Sequence, residues 1–165
     1  MPHLEMRGIT RRYGELAAND AVDFSVEKNE IHAVVGENGA GKTTLMKILY
    51  GLEQPDAGTI VLAGTPAVIR NPLDAARLGI GMVHQHFKLI PEFTVAQNVV
   101  LGVEPRRWGI FTDRKEARAR VAAVIRDHGF GIDADARVSD LTVGQMQQVE
   151  IVKMLYRRAS LLILD

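Results

Sequence analysis

The residues of this chain that most directly specify chemistry are Gly36-Glu37-Asn38-Gly39-Ala40-Gly41-Lys42-Thr43-Thr44. They match G-x-x-x-x-G-K-[ST], a pattern in which glycine amides, one lysine and one hydroxyl surround a phosphate chain. Gly36, Gly39 and Gly41 let the backbone turn tightly, so that successive N–H groups form a concave nest for an anion. A helix opening near Lys42 adds the positive end of its dipole. Lys42 would then reach the β- and γ-phosphates of a nucleoside triphosphate, and the Thr43 hydroxyl would coordinate Mg²⁺.

Such a loop works only between a strand and a helix, and the flanking residues predict both. Ile31-His32-Ala33-Val34-Val35 is a short, β-rich apolar run that reads as a buried strand. Leu45, Ile48 and Leu49 stand at i, i+3 and i+4, one apolar face of a helix, with Gly51 as its stop.

Bulk properties exclude several other classes. The 165 residues suffice for one domain with a real core. Twenty basic residues balance twenty acidic ones, so there is no electrostatic footprint for nucleic acid. No apolar run approaches the ~18 residues of a membrane span, and no cysteine is present for disulfides or thiolate metal sites. The bland expectation is a soluble, intracellular α/β domain.

Read in order, residues 4–10 and 21–26 predict strands joined through Arg11-Arg12-Tyr13-Gly14, a basic, aromatic turn. Tyr13 offers a π face on which a nucleotide base could stack, although an exposed turn tyrosine is more often just that. The cluster at 53–58 predicts a turn into a strand at 59–62, with Ala63-Gly64-Thr65 as a hairpin tip. Asn71-Pro72 reads as an N-cap with proline at the first helical position, closed by Gly79, and 80–83 as another short strand. Residues 87–101 read as apolar and loop-like with a short helix at 95–101, and 102–112 as irregular. The 87–101 stretch would suit either a groove for a partner's helix or internal packing. Asp113 to Glu116 starts a long helix with Ala117, Val121, Val124 and Ile125 inward, ended by Gly129. Thr142 and Gln145 form a capping box for the next helix, whose buried side is Val149, Val152, Met154 and Leu155. Leu161-Leu162-Ile163-Leu164 is an apolar strand ending in the Asp165 carboxylate, which in a phosphate-loop protein would hold the Mg²⁺ that Thr43 coordinates. His84 and His86 flank Gln85, but without a third ligand they read as ordinary histidines.

Taken together, these segments resemble the ATP-binding subunit of an ATP-binding cassette (ABC) transporter over essentially the whole chain. Tyr13 stands in the base-stacking position, 36–44 in the phosphate loop (Walker A) and Gln85 in the Q-loop position. Leu141-Thr142-Val143-Gly144-Gln145 stands in the signature position and 161–165 in the Walker B strand. The resemblance implies ATP and Mg²⁺ as cofactors. It implies a P-loop NTPase core of the ABC ATPase type with an N-terminal antiparallel β subdomain and a helical insertion. The expected division of the single 1–165 cassette is 1–86 for the β-rich and phosphate-loop part, 87–156 for the insertion and 157–165 for the Walker B strand. It assigns Lys42, Gln85 and Asp165 to catalysis, Thr43, Gln85 and Asp165 to the metal, and Tyr13, 36–44 and Gln85 to the nucleotide. In this family cassettes pair head to tail, and each signature helix N-terminus faces the other subunit's γ-phosphate, where its dipole favours an anion.

Finer wording points to an importer. Gly81-Met82-Val83-His84-Gln85-His86-Phe87, Leu89-Ile90-Pro91 and Thr94-Val95-Ala96 resemble cassettes of bacterial nucleoside uptake systems, with monosaccharide importers close behind. The implied partners are transmembrane permease subunits, a second cassette and, indirectly, a substrate-binding lipoprotein. The implied location is the cytoplasmic face of the inner membrane. Val143 departs from the commoner glycine, and Gln148 stands where the family often has a basic residue. The family's next residue after Asp165 is normally a glutamate that polarises water. A fragment that binds ATP weakly and hydrolyses it negligibly is therefore expected. The rival classes are a non-transport ABC ATPase acting on nucleic acid or ribosomes, and a simple phosphotransferase. The first should bring basic arms or zinc cysteines, which are absent here, and the signature and Q-loop segments disfavour the second.

Overall fold

The computed structural model describes residues 2–83, 87–107 and 111–165. The chain divides into two compact units, Met1–Ile80 and Gly81–Asp165.

The first unit is built on a four-stranded antiparallel sheet of order β2-β1-β3-β4, comprising β1 (Leu4–Tyr13), β2 (Leu16–Val26), β3 (Ala57–Leu62) and β4 (Thr65–Ala67). Leu4 and Met6 alternate inward as a strand requires, but the next buried residue is Ile9. An extra residue in β1 between Met6 and Ile9 shifts the phase, with Gly8 at a φ of 60°. The Gly8 N–H donates to Asp23 Oδ1 at 2.7 Å. A second irregularity, on β2 at Ala21 (φ 47°), is satisfied by Thr10 Oγ1, which accepts the Ala21 N–H at 3.0 Å. The β3–β4 turn has positive φ at both Ala63 (48°) and Gly64 (78°), the type I′ geometry that matches strand twist. Two helices complete the unit. α1 (Lys42–Leu49) buries Leu45, Ile48 and Leu49, and α2 (Pro72–Arg77) has Asn71 as its N-cap and Pro72 at its start.

Two sequence expectations need correction in this unit. Arg11 to Tyr13 do not turn: β1 runs to Tyr13, which pairs with Leu16, and the turn is confined to Gly14 and Glu15. Cross-strand pairing outweighs the turn preference of the single Gly14. Residues 31–35 form no strand, and Ile31 is 100% and Val35 91% exposed. An apolar run becomes a strand only when neighbours accept from its N–H groups and donate to its C=O groups, and among the described residues no ladder includes this one.

The second unit holds β5 (Ile80–Val83, beginning at the boundary residue) paired with β8 (Leu161–Leu164), and the helices α3 (Val95–Val100), α4 (Arg114–Asp127) and α5 (Val143–Tyr156). β6 (Arg106–Arg107) and β7 (Phe111–Thr112) form a two-residue ladder inside the stretch expected to be irregular. Val95, Val99, Val121, Val149 and Val152 are fully enclosed where the three helices meet. Burying such side chains supplies roughly 1.5–3 kcal/mol each against the entropy of ordering the helices. Leu155 is only half-buried, and the fourth inward position of α5 is taken by Glu150.

Glu150 is 5% exposed. Its Oε1 accepts the Lys88 backbone N–H at 3.1 Å, and Lys153 Nζ donates to Oε2 at 3.3 Å. Removing one member of a buried pair strands the other, at about 3–5 kcal/mol when the survivor is fully enclosed. Lys153 is 16% exposed and can turn to water, which reduces the cost. Glu150→Ala is expected to lower unfolding stability by about 2 kcal/mol. Urea denaturation followed by circular dichroism measures this, and Glu150→Gln, which keeps an acceptor for Lys88, should lose less.

Candidate nucleotide-binding site

α1 begins immediately behind Gly41, which lies in the left-handed region at a φ of 84°, as Gly39 does at 88°. The N-terminus of α1 receives no side-chain cap. By contrast α2, α3, α4 and α5 are capped by Asn71, Thr94, Asp113 and Thr142. A helix start with no side-chain acceptor suits an anion, because N–H groups and dipole then act together on it.

Lys42 closes the loop. Its Nζ donates to the carbonyl oxygens of Gly36 at 2.7 Å and Glu37 at 2.8 Å. A Cβ on Gly36 would stand 3.5 Å from the Ala40 Cβ and 3.8 Å from the Lys42 side chain, so the loop curls back on itself. Residues 36–40 are exposed and Thr43 is exposed at the head of α1, while Thr44 is partly buried. An ammonium collected at the mouth of an open glycine loop, beside an uncapped helix start, fits a polyphosphate. The Thr43 hydroxyl is a hard oxygen donor of the kind Mg²⁺ takes.

β2 braces this loop from outside. Asn19 is 5% exposed, and its Nδ2 donates to the Gly41 carbonyl at 3.3 Å. Its Oδ1 is buried without a hydrogen-bond partner among the described residues. A Cβ added at Gly41 would lie 2.1 Å from the Ala18 carbonyl oxygen and 2.8 Å from Asn19 Nδ2. Asn19 lies outside every motif that marks the loop in the sequence. Its available signal is a polar residue on the inward side of a strand, which must find a partner when buried.

Tyr13 ends β1 with 44% of its surface exposed. The Arg11 guanidinium carbon lies 5.0 Å from the centroid of its ring. Arg11 also forms ion pairs with Glu53 at 3.1 Å and Asp56 at 3.0 Å. The Asp56 carboxyl is held below the usual carboxylate range, chiefly by the Arg12 backbone N–H, which donates to Oδ2 at 2.7 Å, with Arg11 adding to the effect.

In the second unit, the Asp165 N–H donates to the Val83 carbonyl at 3.2 Å, so the carboxylate follows β8 level with the end of β5. Gln85, with His84 and His86, lies outside the described residues. Leu141 is half-buried and Thr142 is the N-cap of α5. The Gln145 N–H donates to Thr142 Oγ1 at 3.3 Å, and Gln145 Oε1 accepts the Thr142 N–H at 3.0 Å. Val143, 70% exposed, and Gly144 leave the first turn open to solvent. The structure thus groups Lys42, Thr43 and the glycines within the first unit, with Asn19 against them. Asp165 and residues 141–145 belong to the second.

The family model described as ABC transporter matches residues 19–165. The chain belongs to the ABC transporter family. Among proteins similar to this ABC transporter family member is the nucleoside import ATP-binding protein NupA of Lactococcus lactis subsp. cremoris, 47% identical over 162 residues, 98% of this chain and 32% of that protein. The ribose import ATP-binding protein RbsA 1 of Rubrobacter xylanophilus is also 47% identical, over 164 residues, 99% of this chain and 33% of its own length. The chain therefore spans about a third of the length of the curated relatives it matches. A crystal structure of a nucleotide-free ATP-binding cassette from an ABC transporter superposes with a TM-score of 0.85 at 23% identity, over 100% of this chain and 69% of that one. The fold is accordingly that of an ABC ATPase cassette, α/β with an antiparallel N-terminal sheet.

Proposed function

We propose that this chain is the nucleotide-binding part of an ABC importer's ATP-binding subunit, which couples ATP binding and hydrolysis to solute uptake, with nucleosides as the transported class. The observation that carries the reading is the Lys42 ammonium gathered on the Gly36 and Glu37 carbonyls beside the uncapped start of α1. In this reading Tyr13 stacks on adenine, and residues 36–44 cradle the phosphates. Thr43, Gln85 and Asp165 would hold Mg²⁺, which supplies charge neutralisation at the phosphate oxygens. Lys42 and Gln85 contact the γ-phosphate. Residues 87–156 form the helical insertion, and 141–145 present the α5 N-terminus to nucleotide held by a second cassette, its dipole favouring the anion. By themselves, residues 1–165 hold nucleotide without turning it over. The partners are permease subunits at the cytoplasmic face of the inner membrane, with a substrate-binding lipoprotein acting through them.

A simple-sugar importer is the second reading, favoured by the ribose import relative at the same 47% identity. Uptake of labelled guanosine and labelled ribose, compared between cells carrying the full-length gene and its deletion, separates the two. Loss of guanosine uptake alone is the expected result, loss of ribose uptake alone selects the sugar, and loss of neither overturns both.

A further inference from the structure

Arg11 is placed where it can act on Tyr13. A flat ring offers two faces to a cation or a base. The Arg11 guanidinium carbon stands 5.0 Å from the Tyr13 centroid, over one of them, and the 44% exposure of Tyr13 leaves ring surface open to solvent. Arg11 Nε is buried with no hydrogen-bond acceptor among the described residues. The other two guanidinium nitrogens are spoken for: Nη1 donates to Asp56 Oδ1 at 3.0 Å and Nη2 to Glu53 Oε2 at 3.1 Å.

Both acids are themselves fixed. The Glu53 N–H donates to the Lys47 carbonyl at 3.3 Å, in the last turn of the helix that begins with Lys42. The Asp56 N–H donates to the Thr10 carbonyl at 2.8 Å, and its Oδ2 accepts the Arg12 N–H. A continuous chain of contacts therefore runs from the Tyr13 ring through Arg11 and Glu53 to the far end of α1. It ties the aromatic ring to the same helix whose other end carries the phosphate loop.

We propose that Arg11 is a positioning residue for base recognition, clamping the Tyr13 ring from behind and setting its spacing from the phosphate loop through Glu53 and Asp56. This rests on the reading of Tyr13 as the base-stacking residue. A long exposed side chain must be immobilised when a base stacks on it, and a ring already held has less freedom to lose. The contribution belongs to the base end of the nucleotide and not to its phosphates.

The test is calorimetric titration of the 165-residue chain with Mg-ATP and, separately, with Mg-tripolyphosphate, which carries the phosphates but no base. Arg11→Met, Tyr13→Ala and the double variant form a cycle. The expected result for Arg11→Met is a three- to tenfold loss of ATP affinity with tripolyphosphate affinity unchanged, and no further loss when it is added to Tyr13→Ala. An equal loss for both ligands, or a loss that adds fully to that of Tyr13→Ala, overturns the positioning role while leaving base stacking intact. A Tyr13→Ala chain that keeps its preference for ATP over tripolyphosphate overturns the stacking reading itself and the proposal with it. If Arg11→Met fails to fold, Arg11→Lys is read in the same way. Lysine keeps the charge but cannot span Glu53 and Asp56 with a planar fork, so a smaller loss confined to ATP is expected and an unchanged ATP affinity overturns the clamp.

Discussion

Replacing Lys42 with alanine is expected to weaken ATP binding by this chain roughly a hundredfold, with little change in its folded stability. The two expectations have one cause. Among the described residues Nζ bonds the exposed carbonyls of Gly36 and Glu37, and water takes its place there at small cost when the side chain is removed. Against a triphosphate the same ammonium would make charge-assisted bonds, worth about 1.5–3 kcal/mol each, that water does not replace. Calorimetric titration with Mg-ATP, alongside a thermal melt, measures both. An affinity within about threefold of wild type would remove the assignment of 36–44 as the phosphate site.

Gly41→Ala should produce the opposite balance, a large loss of stability. Two penalties act together at this position. A φ of 84° is strained for any residue with a Cβ, and that Cβ would lie 2.1 Å from the Ala18 carbonyl oxygen, a backbone atom that cannot rotate away. A destabilisation of about 3 kcal/mol or more is expected. Urea unfolding gives the value, and Gly39→Ala is the internal control. Gly39 has a similar φ of 88° but nothing within 4 Å of its added Cβ, so only the strain should remain. If the two variants unfold alike, the close approach of β2 to the loop has no energetic weight.

The features that were legible in the sequence are local. Asn71, Asp113 and Thr142 cap their helices within three residues of chain, and each is read correctly from the residue types alone. The capping box at Thr94 and Gln97 follows the same rule and was open to the same reading. What escaped depends on distant partners. Residues 31–35 have the composition of a strand, but composition does not supply a ladder. Glu150 looks like a solvated charge on α5 until Lys88, 62 residues earlier, is seen to need its oxygen. Asn19 and Arg11 matter through Gly41, Glu53 and Asp56, contacts that span 22, 42 and 45 positions. The glycine-and-lysine pattern at 36–44 is plain in the sequence. The contacts of Asn19 with Gly41 and of Arg11 with Tyr13 are not, because they exist only once β1, β2 and α1 have been brought together.

The first sheet also bears on how the molecule behaves in crowded solution. Its outer strands are β2 and β4, and an outer strand with free N–H and C=O groups is a template on which a neighbouring chain can grow. β4 is three residues long and has Pro66 at its centre, so it lacks the donor a new strand would need. β2 changes phase at Ala21 and carries the charged Asp20 and Asp23, so a straight, apolar strand laid along it would lose register. Both margins are thereby closed to further growth, and the sheet ends at four strands.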